Sequence, residues 1–152
     1  MSQVERGVDL ETSMGYLLKE AATALRVAME EVLRPLGMTV THYACLELLA
    51  QRPGLSNSDL ARGAFVTRQS MNVLLQALER DGAVSRPPTA PVGRAIPAQL
   101  TAKGRAQLEE ASAAVRAVEL RMLNDLTPSE RESAFRLLGQ MTRSLRSTTD
   151  VA

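Results

Sequence analysis

Residues 55–86, LSNSDLARGAFVTRQSMNVLLQALERDGAVSR, leave this chain few ways to fold. Ser56 is placed to cap a short helix, with Asp59 three residues later near the positive end of its dipole. Leu60 and Ala61 give that helix an apolar side, and Gly63 offers the positive-φ freedom that a sharp turn requires. Thr67 then caps a second helix whose Met71, Leu74, Leu75 and Leu78 recur at three- and four-residue steps. Arg68, Gln69, Ser70 and Asn72 crowd its first turns, and Asp81-Gly82 closes it with a C-cap glycine. Two helices across a tight turn, the second apolar on one side and carrying Arg, Gln, Ser and Asn at its tip, suit a DNA major groove. An ordinary pair of surface helices explains the same caps and the same stripe.

The rest of the chain supports a compact, mostly helical domain. Its 152 residues are enough to bury a core, and 45% of them are hydrophobic. Aromatics make up only 3% and tryptophan is absent, so the core rests on Leu, Val, Met and Ala, a mixture that favours helices. One cysteine excludes an internal disulfide framework, and one histidine beside it argues against a metal site. There is no run of about 18 apolar residues, and the opening MSQVERGVDLE lacks a signal pattern. The expectation is a cytoplasmic protein with no membrane partner, no cofactor and no metal.

Net charge is only +1, but it is unevenly distributed. Residues 1–51 carry four basic and seven acidic side chains, residues 52–105 eight and three, and residues 106–152 six and seven. The basic excess therefore coincides with the helix pair, where phosphate binding would need it.

In chain order, residues 10–34 keep helical spacing through Met14, Leu17, Leu18, Ala21, Leu25, Met29, Val32 and Leu33, and Arg34-Pro35 is expected to stop them. Thr39 or Thr41 opens a second helix that reaches about Gln51, before Arg52-Pro53-Gly54. After Gly82, residues 83–86 read as a short strand. PPTAPVG is irregular, and residues 94–100 return as a second strand with Pro97 on a free edge. Thr101 caps a long helix reaching about Asp125. Thr127-Pro128-Ser129-Glu130 is a capping box with proline in the first turn of the last helix.

This order of parts resembles the multiple-antibiotic-resistance regulator (MarR) family of bacterial winged-helix transcription factors over residues 10–146. The residues that carry the resemblance are Leu60-Ala61, Leu78-Glu79-Arg80-Asp81-Gly82, Arg86 and Arg94. To these add Leu100-Thr101-Ala102-Lys103-Gly104-Arg105 and Leu126-Thr127-Pro128-Ser129-Glu130. Two departures stand out. Val92-Gly93-Arg94 replaces the family's usual aspartate followed by two arginines, and Val73 occupies a position that often holds arginine.

The resemblance implies a mainly α fold with a small β-hairpin wing (α+β), a winged helix-turn-helix with long N- and C-terminal dimerisation helices. Residues 1–36 and 124–152 would form the helical dimerisation region, 37–100 the DNA-binding lobe and 101–123 the helix linking them. The implied function is a homodimeric regulator of double-stranded DNA, a ligand-responsive repressor on a pseudo-palindromic operator and not an enzyme. DNA would be met by Ser56, Thr67, Arg68, Gln69, Ser70, Asn72, Arg86 and Arg94, with Arg94 in the minor groove or on its phosphates. Tyr16, Met38, His42 and Tyr43 are the candidates for a cleft that holds a small aromatic or phenolic effector.

Two other readings remain. The altered wing and Val73 fit a helical protein-interaction module that has kept the fold with weak or no DNA binding. Cys45 fits a thiol-based redox regulator, although its neighbours Ala44, Leu46, Leu48 and Leu49 suit a core cysteine better. Catalysis has no foothold: there is no glycine-rich phosphate loop, and one histidine is too few for the usual dyads.

Overall fold

The computed structural model describes residues 7–86 and 97–147. In order these form α1 (Met14–Leu33), a 3-10 turn (Arg34–Leu36), α2 (Val40–Gln51), α3 (Asn57–Gly63), α4 (Arg68–Arg80), β1 (Val84–Ser85), β2 (Gln99–Leu100), α5 (Ala102–Met122) and α6 (Pro128–Ser147). The fold is mainly α with one antiparallel hairpin, in which Val84 pairs with Leu100 and Ser85 with Gln99. The chain divides into two compact units, Met1–Val118 and Glu119–Ala152.

The helix starts follow from local side-chain chemistry. Ser13, Thr39, Ser56 and Thr67 each accept a hydrogen bond from the backbone N–H three residues on, filling one of the donors that every helix leaves open. Thr39 rather than Thr41 opens α2. Thr101 Oγ1 accepts from Gly104 N at 3.1 Å at the start of α5. Thr127 and Glu130 exchange the reciprocal bonds of a capping box at the start of α6, at 2.9 and 3.2 Å.

Four sequence expectations are corrected. The first α-helix stops at Leu33 before Arg34-Pro35 as expected, but Arg34 does not leave the helical region (φ −55°, ψ −45°); the chain continues into the 3-10 turn through Pro35 and reverses at Gly37, φ +73°. Met38 N bonds back to Leu33 O at 3.2 Å, so the tight turn overrides the bias that proline places on its predecessor. Gly63 supplies no positive φ. Phe65 does, at +60°, while Val66 N reaches back to Ala61 O at 3.0 Å. Gly63 instead provides room, since a Cβ there would lie 3.0 Å from Leu48 Cδ1.

The returning strand is shorter than residues 94–100: β2 is Gln99–Leu100 alone, Pro97 precedes it, and residues 94–96 lie outside the described residues. Helix α5 ends at Met122 rather than near Asp125. The carbonyls of Leu123 and Leu126 turn toward Arg131, whose Nε donates to both at 3.2 Å.

In the first unit the core is built from Leu33, Cys45, Leu46, Leu60, Met71, Leu75 and Leu78, all almost fully buried, joined by Leu108, Ala111 and Val115 from α5. Each large side chain of this kind stabilises the fold by about 1.5–3 kcal/mol relative to an exposed one. Three of them lie on α4, so the inner side of that helix is fixed by the core. Gly104 lets the first turn of α5 approach the start of β1: a Cβ there would fall 2.1 Å from Ala83 O. Thr101 Oγ1 donates to Gly82 O at 2.6 Å and lies 3.1 Å from Ala83 O at the same junction.

Candidate nucleic-acid interface

Helix α4 presents its N-terminal turn to solvent. Arg68, Gln69 and Ser70 are exposed, while Met71 in the same turn is fully buried. Burial of Met71, Leu75 and Leu78 sets the rotation of the helix, so Gln69, Val73, Gln76 and Arg80 point away from the core, all exposed. The helix is held at both ends, by the Thr67 cap and by Gly82 (φ +76°), where Ala83 N reaches back to Leu78 O at 2.9 Å. A rigid, polar-tipped helix standing on a packed base is what groove reading requires.

The candidate residues divide by what their polar atoms already do. Ser56 Oγ accepts from Asp59 N at 3.1 Å and donates to Asp59 Oδ2 at 2.9 Å, so its hydroxyl is committed to the cap of α3. Thr67 Oγ1 accepts from Ser70 N at 3.0 Å and donates to Ser70 Oγ at 2.9 Å. Asn72 is half-buried, and its Oδ1 accepts from Asn57 Nδ2 at 2.7 Å. Arg68 Nη1 reaches Ser58 Oγ at 3.4 Å, a long bond that leaves most of the guanidinium in water. Gln69 makes no side-chain hydrogen bond among the described residues.

Arg86 is half-buried at the base of the wing, its Nε 2.6 Å from Glu79 Oε1. Because the contact lacks hydrogen-bond alignment it acts as an ion pair, holding β1 to the last turn of α4. Arg94 lies outside the described residues. Arg52, Arg62, Arg80, Lys103 and Arg105 are also exposed. Arg62 pairs with Asp59, whose carboxyl is held below its ordinary range first by Ser56 and then by Arg62. Lys103 Nζ donates to Asp81 O at 2.7 Å.

The effector candidates are scattered. Tyr16 lines a concavity of about 390 Å³ with Leu10, Met14, Leu17 and Glu20 at the start of α1. Tyr43 lines a different one of about 240 Å³ with Glu47, Gln51, Arg52 and Gly63. Met38 is buried and His42 half-buried, and neither lines these two concavities. Burial holds the His42 imidazole below its ordinary pKa, with Asp81 opposing, and its Nε2 is buried without a hydrogen-bond partner.

Sequence reasoning missed a polar hub at Glu47. Its Oε2 accepts from Tyr43 Oη at 2.6 Å and from Ser112 Oγ at 2.7 Å, and its Oε1 accepts from Gln51 Nε2 at 2.7 Å. Burial alone would push this carboxyl up, but the three donors together hold it below the usual range. Ser112 lies on α5, so the hub joins α2 to α5. No local pattern announces a pairing 65 residues apart. Asn57 and Ser58, which hold Asn72 and Arg68, were missed for the same reason.

Cys45 is fully buried, and burial pushes its thiol up to about 11. Among the described residues no group of three or more His, Cys, Asp or Glu could hold a metal ion, and no helix is long and apolar enough to cross a membrane.

The chain matches known proteins along nearly its whole length. A family model described as "MarR family" matches residues 36–95. The HTH-type transcriptional repressor Rv2887 of Mycobacterium tuberculosis is 43% identical over 135 residues, which are 89% of this chain and 97% of that protein. The crystal structure of Rv2887 in complex with DNA superposes with a TM-score of 0.71 at 42% identity, covering 86% of this chain and 98% of that one. Rv2887 in complex with salicylic acid superposes with a TM-score of 0.71 at 44% identity, covering 86% and 96%.

Proposed function

Because the chain belongs to the MarR family, we propose that it is a transcriptional repressor which binds double-stranded DNA as a homodimer and releases it when a small aromatic ligand binds. The observation that carries this reading is the tip of α4: a capped, core-anchored N-terminal turn with Arg68 and Gln69 exposed. The similar repressor solved with DNA and with salicylic acid supports both the nucleic acid and the class of effector. The protein works in the cytoplasm as a regulator and not as an enzyme.

Two recognition helices related by a two-fold axis would enter successive major grooves on one side of the duplex, about 10 bp apart, so the operator is pseudo-palindromic. Residues 37–100 form the reading lobe, residues 1–36 and 124–152 the dimerisation region, and residues 101–123 the connection. Dimerisation explains the apolar side chains left bare: Leu10, Met14 and Leu17 at the start of the chain, and Phe135, Leu138 and Leu145 along α6.

Arg68 and Gln69 read bases. Ser56, Thr67, Ser70 and Asn72 hold the register through the caps and the Asn57 bond, facing phosphates with their remaining hydrogen-bonding capacity. Arg94 is assigned to the minor groove and Arg86 to the base of the wing. The effector acts by preferring a dimer whose reading heads are wrongly spaced, with Tyr16, Met38, His42 and Tyr43 as its candidate contacts.

The test is a salt titration of full-length protein on the duplex upstream of its own gene. Specific binding with a steep negative salt slope is expected, weakened in Arg68→Ala by about 1–3 kcal/mol with specificity relaxed at one position of the half-site. Absence of binding at low salt would instead leave the chain as a helical interaction module. Salicylate added to the complex should lower the affinity.

A further inference from the structure

We infer that Val73 is a base-reading residue that recognises the 5-methyl group of thymine, a conclusion that rests on the DNA-binding reading above and sharpens what the helix selects. Gln69, Val73 and Gln76 lie at four- and three-residue steps along α4, so they share one stripe, and that stripe is opposite Met71, Leu75 and Leu78. The buried set fixes this rotation. Val73 is thereby held 62% exposed, a branched aliphatic group between two exposed glutamines.

In the free protein that placement gains nothing. The isopropyl group buries little area, and valine is a poorer helix former than the polar residues around it. It also forms no extended apolar patch with neighbours on α4, since Gln69, Gln76 and Arg80 surround it, so a protein partner has little to hold there.

The floor of a DNA major groove supplies the complement. Its apolar feature is the 5-methyl of thymine, while adenine offers the acceptor–donor pair that a glutamine amide matches in two-point contact. Gln69 and Val73 are separated by about 6 Å along the helix axis, compared with about 3.4 Å between base pairs, so they address sites within roughly two base pairs of each other. A glutamine–valine–glutamine stripe therefore fits a half-site centred on A·T pairs. An arginine at position 73 would reach a phosphate or guanine; valine reaches neither and takes the methyl.

The experiment starts with selection from random duplexes by the full-length protein and by Val73→Ala, a substitution at an exposed helical position that leaves the core untouched. Each thymine of the selected half-site is then replaced singly by deoxyuridine, which removes the methyl and keeps the pairing. One replacement should weaken wild-type binding about fourfold, the loss of one buried methyl group. The same replacement should leave Val73→Ala unchanged. Equal responses of the two proteins at every thymine would overturn the assignment while leaving DNA binding intact. If no duplex is enriched at all, the DNA-binding reading itself fails and this inference falls with it.

Discussion

Asn57 and Asn72 join α3 to α4: Asn57 Nδ2 donates to Asn72 Oδ1 at 2.7 Å across a half-buried seam. The bond uses one acceptor site of Asn72 and aims what remains of its amide. Either Asn57→Ala or Asn72→Ala should lower stability by about 1 kcal/mol, and the double variant should be little worse than the single ones. Urea denaturation of the four proteins measures the coupling. Simple additivity would mean that the two amides contribute separately.

Gly104 has a more severe constraint. A Cβ there would meet the Ala83 carbonyl at 2.1 Å, and a backbone oxygen does not swing aside as a side-chain end would. Gly104→Ala should therefore cost about 1–3 kcal/mol and lower Tm by several degrees. An unchanged melting curve would show that α5 and β1 can separate freely.

Phe65 holds its backbone at φ +60° with its ring 86% exposed, so burial returns little for the strain. Phe65→Gly should raise stability by up to about 1 kcal/mol, less than the strain removed because glycine also loosens the unfolded chain. A loss of stability would show that the ring is packed in solution.

Cys45 should be chemically silent. With its thiol fully buried and pushed up to about 11, the reactive thiolate is scarce at neutral pH. A thiol reagent should label it only in denaturant, and peroxide should leave operator affinity unchanged. Rapid labelling of the folded protein would revive a redox role.

Acidification should weaken the fold in two windows. His42 has a folded pKa below its ordinary 6.5, so its contribution is complete above that value and is lost as pH falls through the folded one. Glu47 is held below 4.5, so its contribution is present above 4.5 and is lost at lower pH, as its three donors lose their ionised acceptor. Urea midpoints for wild type and His42→Gln across pH 7.5 to 5 should diverge in the upper window. The difference between wild type and Glu47→Gln should stay constant above pH 4.5 and shrink below it.

Features within one turn of chain were legible beforehand. Ser56, Thr67, Thr101 and Thr127 declare helix starts because a cap is satisfied three residues away, and the stripe of Met71, Leu75 and Leu78 declares which side of α4 is buried. Turn geometry was less secure. Gly63 has the composition of a positive-φ residue, but the backbone places that strain on Phe65, while the missing side chain of Gly63 leaves room for Leu48. The amino-acid order by itself determined the succession of helices, the capping of α4 and the single core cysteine, since these depend on periodicity and on bonds between near neighbours. Only the tertiary structure decided that Glu47 joins Ser112, that Asn57 restrains Asn72, that Gly104 lies against Ala83 and that Val73 stands bare between two glutamines. Most of these are meetings of residues far apart in the chain, and the exposure of Val73 depends on how the core turns its helix. Packing settles such contacts, and a local pattern does not record them.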